Sequence, residues 1–289
     1  MWGSALTFSL TVVALSVFGA LPQNESTAPK PLLETGQAKK LTAAPVHPDE
    51  VTVVSYNIRW RTGAELEQIA SWLKSKHAVV IALQEVDSAR QRTGKTNNAR
   101  ALAESLGMFY AWAAPPALKE NQEEETGVEL LSAYPLSDVT PIILPHQGPG
   151  RWRAAVGATI KLGQTNIRVY SVHSETRMTL PQKLDQYRAA MDDLARFPKS
   201  TPAIIMGDFN SWEPATVEAV RQLFTGENFR TPFPDDETTF KRSAVVFDID
   251  LKLDWIWLRG LTAKDHGIDR SLRVSDHLPL WTEVSIALR

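Results

Sequence analysis

From residue 51 onward, apolar runs of strand length alternate with amphipathic segments of helix length. The runs VTVVSYNI (51–58) and AVVIALQE (78–85) predict two buried strands. A helix is predicted between these strands, over 64–75, because one face of it would carry Leu66, Ile69, Ala70 and Leu73. Helical periodicity returns at 97–107, 180–197 and 214–224.

The middle of the chain changes character, because four apolar runs follow one another without an intervening helix. These runs lie at 128–136, 139–145, 153–162 and 166–174. Gly163-Gln164-Thr165 would turn the last two into a hairpin, and consecutive strands with short connections imply antiparallel pairing. Further strands are predicted at 254–258 and 278–288. Mixed sheets with helices on their outer faces are the simplest packing of this order.

The N-terminal region has a different pattern. Residues 5–21 form an uncharged apolar run, which predicts that 1–21 is a signal peptide or a retained N-terminal anchor. Residues 22–50 lack apolar periodicity and are interpreted as a flexible linker. The folded domain is therefore expected over 51–289.

Composition narrows the chemistry. The formal net charge is -2, with 31 basic and 33 acidic residues, so charge alone does not favour binding to nucleic acid. The chain has 0 cysteines, which excludes disulfides and a thiolate metal site.

The stretch TPAIIMGDFNSW (201–212) ends an apolar run with two polar side chains. In an extended chain, Asp208 and Asn210 would project from the same face, at the end of a buried strand. Burial there is costly unless an ion or a hydrogen-bond partner compensates. A turn or helix cap also explains such residues, and for this stretch alone it is the simpler interpretation.

The same feature recurs at other strand ends, where turn chemistry has no reason to prefer Asn, Glu and His. The polar residues predicted to gather at one sheet edge are Asn57, Glu85, His173, Asp208, Asn210, Asp254, Asp276 and His277. Oxygen ligands of this kind suit magnesium, calcium or manganese, and paired His and Asp supply acid/base groups. Taken singly, His173 is better explained as a satisfied core residue and Glu85 as a solvated helix cap, but these explanations do not account for the whole set.

Seven short motifs in this order resemble the endonuclease/exonuclease/phosphatase superfamily. They are SYNIR, LQEVD, YPL, VHS, GDFN, LDWIW and SDHLPL, and they extend from about residue 52 to residue 287. The resemblance implies an α/β fold of the four-layered sandwich type, with two mixed, mostly antiparallel sheets packed face to face and helices on the outer faces. It also implies a magnesium-dependent phosphoesterase.

Each matching residue takes an expected role from this resemblance. Asp208 resembles the group that orients or deprotonates the attacking water, and Asn210 resembles a contact to the phosphate or transition state. Asp254 resembles the partner of His277, and His173 resembles the second histidine of the deoxyribonuclease and sphingomyelinase branches. The residues that resemble metal-site groups are Asn57, Glu85 and Asp276.

The sequence thus predicts an exported hydrolase of phosphate esters that uses Mg²⁺, with Mn²⁺ or Ca²⁺ as alternatives. The substrate class stays open between nucleic acid, a phospholipid head group and a small phosphorylated metabolite. Arg153 is a candidate substrate contact, or else an exposed cation. A monomer is expected, secreted, periplasmic or tethered to a membrane through residues 5–21. The alternative is a non-catalytic protein of this fold that binds phosphoesters or polyanions.

Overall fold

The apolar runs of the sequence form the strands of two mixed sheets. The computed structural model describes residues 31–43, 50–116, 125–147, 151–243 and 248–285. In chain order, the strands within these ranges are β1 Leu32–Gln37, β2 Glu50–Asn57, β3 Ala78–Ser88, β4 Phe109–Ala114, β5 Glu125–Ser132, β6 Ser137–Ile143, β7 Ala154–Leu162, β8 Thr165–His173, β9 Ala203–Asp208, β10 Phe240–Ser243, β11 Asp248–Leu251, β12 Asp254–Arg259, β13 Thr262–Ile268 and β14 Leu280–Ser285. The α-helices are α1 Gly63–Ser75, α2 Asn98–Leu106, α3 Leu180–Leu194 and α4 Pro214–Gly226.

Seven strands form one sheet, in the order β1-β4-β5-β3-β2-β14-β13, and five form the other, in the order β12-β9-β8-β7-β6. Most pairings are antiparallel, but β2 pairs with β3 and β8 with β9 in parallel. The predicted hairpin joins β7 to β8, with Leu162 opposite Thr165. The short strands β10 and β11 pair only with each other among the described strands.

Three apolar clusters hold the layers together. The central cluster lies between the sheets and includes Val53, Leu130, Val169 and Ile204. A second cluster packs α1 and α2 against the outer face of the seven-stranded sheet, and a third packs α3 and α4 against the five-stranded sheet. The predicted four-layered α/β sandwich is confirmed.

The predicted flexible linker over 22–50 is wrong in part. Residues Leu32–Gln37 form β1, which pairs with β4 along its whole length, and Ala38 is buried. The alternating exposure of β1 and its polar side chains conceal it in the sequence, because its stability comes from the partner strand rather than from an apolar run. The folded region therefore begins before residue 51.

Four other strands were not predicted from the hydrophobic pattern: β4, β10, β11 and β13. The last three are short or largely exposed and lack a continuous apolar run. The predicted signal peptide or anchor at 1–21 lies outside the described residues. Among the described helices, none has the length and hydropathy needed to span a bilayer.

Candidate active site

A bulge in β3 directs Glu85 away from the regular strand pattern. The register between β3 and β5 shifts between Gln84 and Val86, so Glu85 has no partner residue in β5. Its φ of 56° lies in the left-handed region, which is strained for a residue other than glycine. The carboxylate lines a cleft at the end of the sheet.

Gly207 allows β9 to deliver Asp208 close to β8. The φ of Gly207 is 149°, and a Cβ atom at this position would overlap the carbonyl oxygen of Val172 in β8. The parallel register then places His173 beside Asp208. The glycine of the GDFN motif is thus required for the close approach of β9 to β8, and it lies within the strand rather than in a turn.

The carboxylate of Asp208 is buried and fixed by two amide groups. Nδ2 of Asn57 donates to Oδ2 over 2.9 Å, and the backbone N–H of Asn210 donates to Oδ1 over 2.9 Å. Asn210 itself has a φ of 48°, and its Nδ2 donates to the carbonyl oxygen of Ser174. The carboxylate is therefore held in one orientation from both sides.

Two imidazole rings face the same oxygen of Asp208. Nε2 of His173 lies 3.5 Å and Nε2 of His277 lies 3.7 Å from Oδ2. Nδ1 of His277 is 2.9 Å from Oδ2 of the buried Asp254, so the predicted Asp254–His277 pair is present in the structure. Phe240 packs edge-on against the His277 ring at 5.0 Å between centroids.

Burial and neighbouring charge move the pKa values of these groups in different directions. Burial lowers the pKa of His277, but the carboxylates of Asp254 and Asp208 outweigh it and raise that pKa above its usual value. Burial lowers the pKa of His173, and Arg153 and His277 lower it further. Burial raises the pKa of Asp208. These directions favour a charged His277 and a neutral His173.

The tautomer of His173 follows from its other neighbour. Nη1 of Arg153 lies 3.4 Å from Nδ1 of His173, and a guanidinium group can only donate. Nδ1 therefore accepts, and the ring proton is on Nε2, which faces Asp208 and lies 4.0 Å from Oε1 of Glu85. Arg153 is in turn paired with Glu175 through Nε and Oε2 at 3.1 Å.

The sequence-predicted residues converge on one cleft of about 330 Å³. The lining includes Glu85, Arg153, His173, Asp208, Asn210, Asp276 and His277. Asn57 and Asp254 contact this group through Asp208 and His277. Asp276 is paired with Arg59 at 2.6 Å. The structure brings all these residues together; their individual roles stay predictions.

The oxygen donors of the cleft fit a hard divalent cation. Asn57, Glu85 and Asp276 offer carboxylate and amide oxygens, with no sulfur donor. Among the described residues, Asp208, Asp254 and His277 also bring one ligand atom each within 4.8 Å of one another. Oδ1 of Asp254 is buried without a hydrogen-bond partner there, although its other oxygen bonds His277.

Several residues that support the cleft were not predicted from the sequence. Lys183 is 2% exposed, and its Nζ donates to the backbone oxygen of Asn210 over 2.7 Å. Oε2 of Glu175 accepts hydrogen bonds from the backbone N–H of Arg151 and from Nε of Arg153, and so holds both residues in place. The helical periodicity of the sequence places Lys183 on the buried face of α3, and a buried lysine requires a partner. This position could have identified Lys183 as a supporting residue.

The chain belongs to the Endonuclease/Exonuclease/phosphatase family, whose sequence profile matches residues 54–277. The UPF0294 protein VP2298 of Vibrio parahaemolyticus is 30% identical over 122 residues, which are 42% of this chain and 41% of that protein. This chain therefore spans about two fifths of the length of that curated relative.

Solved structures show the same fold at low sequence identity. An endonuclease/exonuclease/phosphatase family protein from Leptotrichia buccalis is 20% identical, with a TM-score of 0.64, over 81% of this chain and 99% of that one. The human Nocturnin catalytic domain with bound sulfate is 19% identical, with a TM-score of 0.65, over 84% and 95%. D. rerio TDP2 complexed with a single-stranded DNA product is 15% identical, with a TM-score of 0.64, over 82% and 99%.

Proposed function

We propose that this protein is a divalent-metal-dependent hydrolase of phosphate esters. The observation that carries the proposal is the fixed, buried carboxylate of Asp208, with His173 and His277 facing its Oδ2 atom at 3.5 Å and 3.7 Å. A buried anion between two imidazole rings, at the wall of an open cleft, is suited to acid/base chemistry on a bound ester. The sulfate and DNA product in the related structures support a phosphate-type ligand.

The proposed reaction is attack of water on phosphorus. Oδ2 of Asp208 accepts the proton of the water as its oxygen bonds to phosphorus, and the bond from phosphorus to the ester oxygen breaks. His277, oriented by Asp254, supplies a proton to the leaving oxygen. His173 and Asn210 line the same cleft and position the phosphoryl group.

The residues that would hold the cation are Asn57, Glu85 and Asp276. A bound Mg²⁺ or Mn²⁺ supplies positive charge that neutralises phosphate oxygens. Asp276 is already oriented by Arg59, and Glu85 is presented by the β3 bulge, so both carboxylates are in place at the cleft.

The test uses the purified protein with Mg²⁺ or Mn²⁺ against nucleic acid, sphingomyelin and inositol phosphates. EDTA is expected to abolish hydrolysis, and Asp208→Asn is expected to lower the turnover rate by about 10²- to 10⁴-fold. Asp185→Asn is the matched control, because Asp185 is an exposed carboxylate on α3. Full activity in EDTA, or equal activity of Asp208→Asn and wild type, contradicts the proposal. Binding of a phosphoester without turnover supports the non-catalytic alternative instead.

Export is a separate part of the proposal and rests on the apolar run at residues 5–21. We expect the full chain, expressed with a C-terminal tag in a bacterial host, to leave the cytoplasm or to sediment with membranes. The mass of the mature protein distinguishes a cleaved signal peptide from a retained anchor. Recovery of the intact chain in the cytoplasm contradicts export.

A further inference from the structure

The catalytic cleft continues past Trp60 into a second cavity of about 560 Å³. Three residues, Trp60, Glu85 and Arg153, line both spaces, so the two are continuous. We name the new space the arginine lobe, defined by Trp60, Arg90, Arg92 and Arg151. The proposed chemistry at Asp208 does not use these residues.

Arg92 is held in one position by its neighbours. Its Nε and Nη2 atoms donate to the two oxygens of Asp87 over 2.7 Å each, and Nη2 also donates to Oγ1 of Thr126 over 2.8 Å. The guanidinium carbon lies 4.2 Å from the ring centroid of Trp60. A guanidinium fixed in this way loses little further entropy when it binds an anion.

The exposure of this ion pair is asymmetric. The side chain of Asp87 is 0% exposed, whereas that of Arg92 is 33% exposed. Asp87 is therefore turned into the protein, and a ligand in the lobe meets the cation rather than the carboxylate. Arg151 is exposed and lines the same cavity.

Glu125 already places a carboxylate among the arginines of the lobe. Burial raises its pKa, and the nearby positive charges of Arg90 and Arg151 act in the opposite direction. The lobe thus holds Glu125 at a position where guanidinium groups converge, and Glu85 lies at its boundary with the catalytic cleft. A phosphate in the lobe would gain these cations and would be repelled by Glu125.

The other end of the cleft has the opposite character. Past Trp212 and Leu251 the cleft continues into a cavity of about 390 Å³. Its acidic lining residues are Glu218, Asp235, Asp236 and Asp250, with Lys252 the basic one among the described lining residues. Two of these carboxylates are paired with cations, Asp235 with Arg221 and Asp250 with Lys241, so it is Glu218 and Asp236 that disfavour a phosphate at this acidic end.

We propose that the arginine lobe is a subsite for a second phosphate group of the substrate, on one side only of the phosphate that is hydrolysed. The inference rests on the proposed function for the identity of the reacting phosphate. It narrows the substrate class to esters that carry a further phosphate, such as a nucleotide chain or a polyol bisphosphate.

The test compares probes that differ by one phosphate. The probes are the thymidine dinucleotide TpT, its 5′-phosphorylated form pTpT and its 3′-phosphorylated form TpTp. We measure their binding to the full chain by calorimetry in EDTA and their hydrolysis in Mg²⁺. One phosphorylated form is expected to bind roughly 10- to 100-fold more tightly than TpT, the range of charge-assisted hydrogen bonds, and the other form is not. Inositol 1-phosphate and inositol 1,4-bisphosphate form a second pair of probes. This pair shows whether a second phosphate on a molecule other than a nucleotide increases the affinity by the same factor.

Two variants are expected to change the affinity gain in opposite directions. A loss of folding could only lower binding, so it cannot explain both results. Arg151→Gln is expected to remove most of the gain from the second phosphate, and Arg151→Lys to retain part of it. Glu125→Gln is expected to increase the gain, because the competing carboxylate is lost. Where hydrolysis is observed, these effects should fall on KM rather than on kcat. Arg188→Gln, an exposed arginine on α3, is the matched control.

The outcomes separate the two proposals. Equal binding of all three dinucleotides and of both inositol phosphates, or a gain that Arg151→Gln and Glu125→Gln leave unchanged, overturns the subsite. A gain that responds to both variants, without hydrolysis of these probes or of the nucleic acid, sphingomyelin and inositol phosphates of the first test, supports the subsite and contradicts the proposed function. Hydrolysis without any gain from a second phosphate supports the function and rejects the subsite.

Discussion

At the scale of single residues, the Asp254–His277 pair has the most direct consequence for activity. Asp254→Asn keeps the size of the side chain but removes the charge that stabilises a protonated His277 at 2.9 Å. We expect the turnover rate to fall by about 10²- to 10⁴-fold, with a much smaller effect on the melting temperature. Rates and thermal melts of each variant provide the measurement.

A double-mutant cycle checks whether the two residues act as a unit. If they do, Asp254→Asn combined with His277→Ala should cost little more than His277→Ala alone. His266→Ala serves as the control, because His266 is exposed on β13. Losses that multiply would show that Asp254 and His277 contribute independently.

Glu129 has a consequence for stability rather than for activity. It lies in β5 between Leu83 of β3 and Trp112 of β4, is fully buried, and neither carboxylate oxygen has a hydrogen-bond partner among the described residues. Burial raises its pKa well above the ordinary value of 4.5, and the charge of Glu34 raises it further. The folded chain therefore keeps a proton that the unfolded chain releases above pH 4.5.

The sign of the pH effect follows from this proton. Folding binds it, so the contribution of Glu129 to the free energy of unfolding falls as the pH rises above 4.5, until the folded pKa is reached. We expect Glu129→Gln to be stabilising relative to wild type by an amount that grows by up to about 1.4 kcal/mol per pH unit. Urea unfolding between pH 5 and pH 7 measures it. Glu67→Gln, on the exposed face of α1, should show no such trend, and a constant difference for Glu129→Gln would contradict the prediction.

At the scale of secondary-structure elements, the parallel contact between β8 and β9 depends on Gly207. Gly207→Ala would place a Cβ atom against the carbonyl oxygen of Val172, at a φ of 149° that alanine rarely adopts. We expect a loss of about 3 kcal/mol or more in the free energy of unfolding. Gly226→Ala in the last turn of α4 is the control, because nothing lies within 4 Å of its added Cβ. Similar unfolding curves for the two variants would exclude this role of Gly207.

The elements that were predicted correctly are those whose burial leaves a periodic signal. The strands β2, β3, β8 and β9 are buried along most of their length, because each is covered on both faces by other layers, and each therefore contains an apolar run. The four helices carry one apolar stripe each. By contrast, β1 and β13 are edge strands with largely exposed side chains, so pairing with β4 and β14 determines their structure.

The site shows the same division. Asp208 and His277 were predictable because polar residues at the ends of apolar strands are expensive without a function. The support that Lys183 gives Asn210 was not predictable, because this contact joins α3 to a loop 27 residues later in the chain. The β3 bulge at Glu85 also leaves no mark in the hydrophobic pattern, since Val86 continues the apolar run.

At the scale of the whole molecule, charge is distributed unevenly although the formal net charge is -2. The arginine lobe and the cavity lined by Glu218 and Asp236 lie at different ends of one cleft and share no lining residue. Net charge therefore does not describe the field that a substrate meets, because the two ends of the cleft oppose each other. This polarity was invisible in the sequence, where Arg90 and Arg151 are far apart.

The position of β1 predicts where the folded chain begins. Glu34 on β1 accepts hydrogen bonds from Tyr110 over 2.7 Å, Asn97 over 2.7 Å and Arg100 over 2.8 Å. A chain that starts at residue 51 loses these contacts and leaves the edge of β4 unpaired, whereas a chain that starts at residue 31 keeps them. We expect the shorter chain to melt at a lower temperature, by roughly 2 to 4 °C for each kcal/mol lost, and to associate more readily at high concentration. Thermal melts and light scattering of the two chains provide the test. Equal melting temperatures would show that β1 adds no stability and would restore residue 51 as the start of the stable domain.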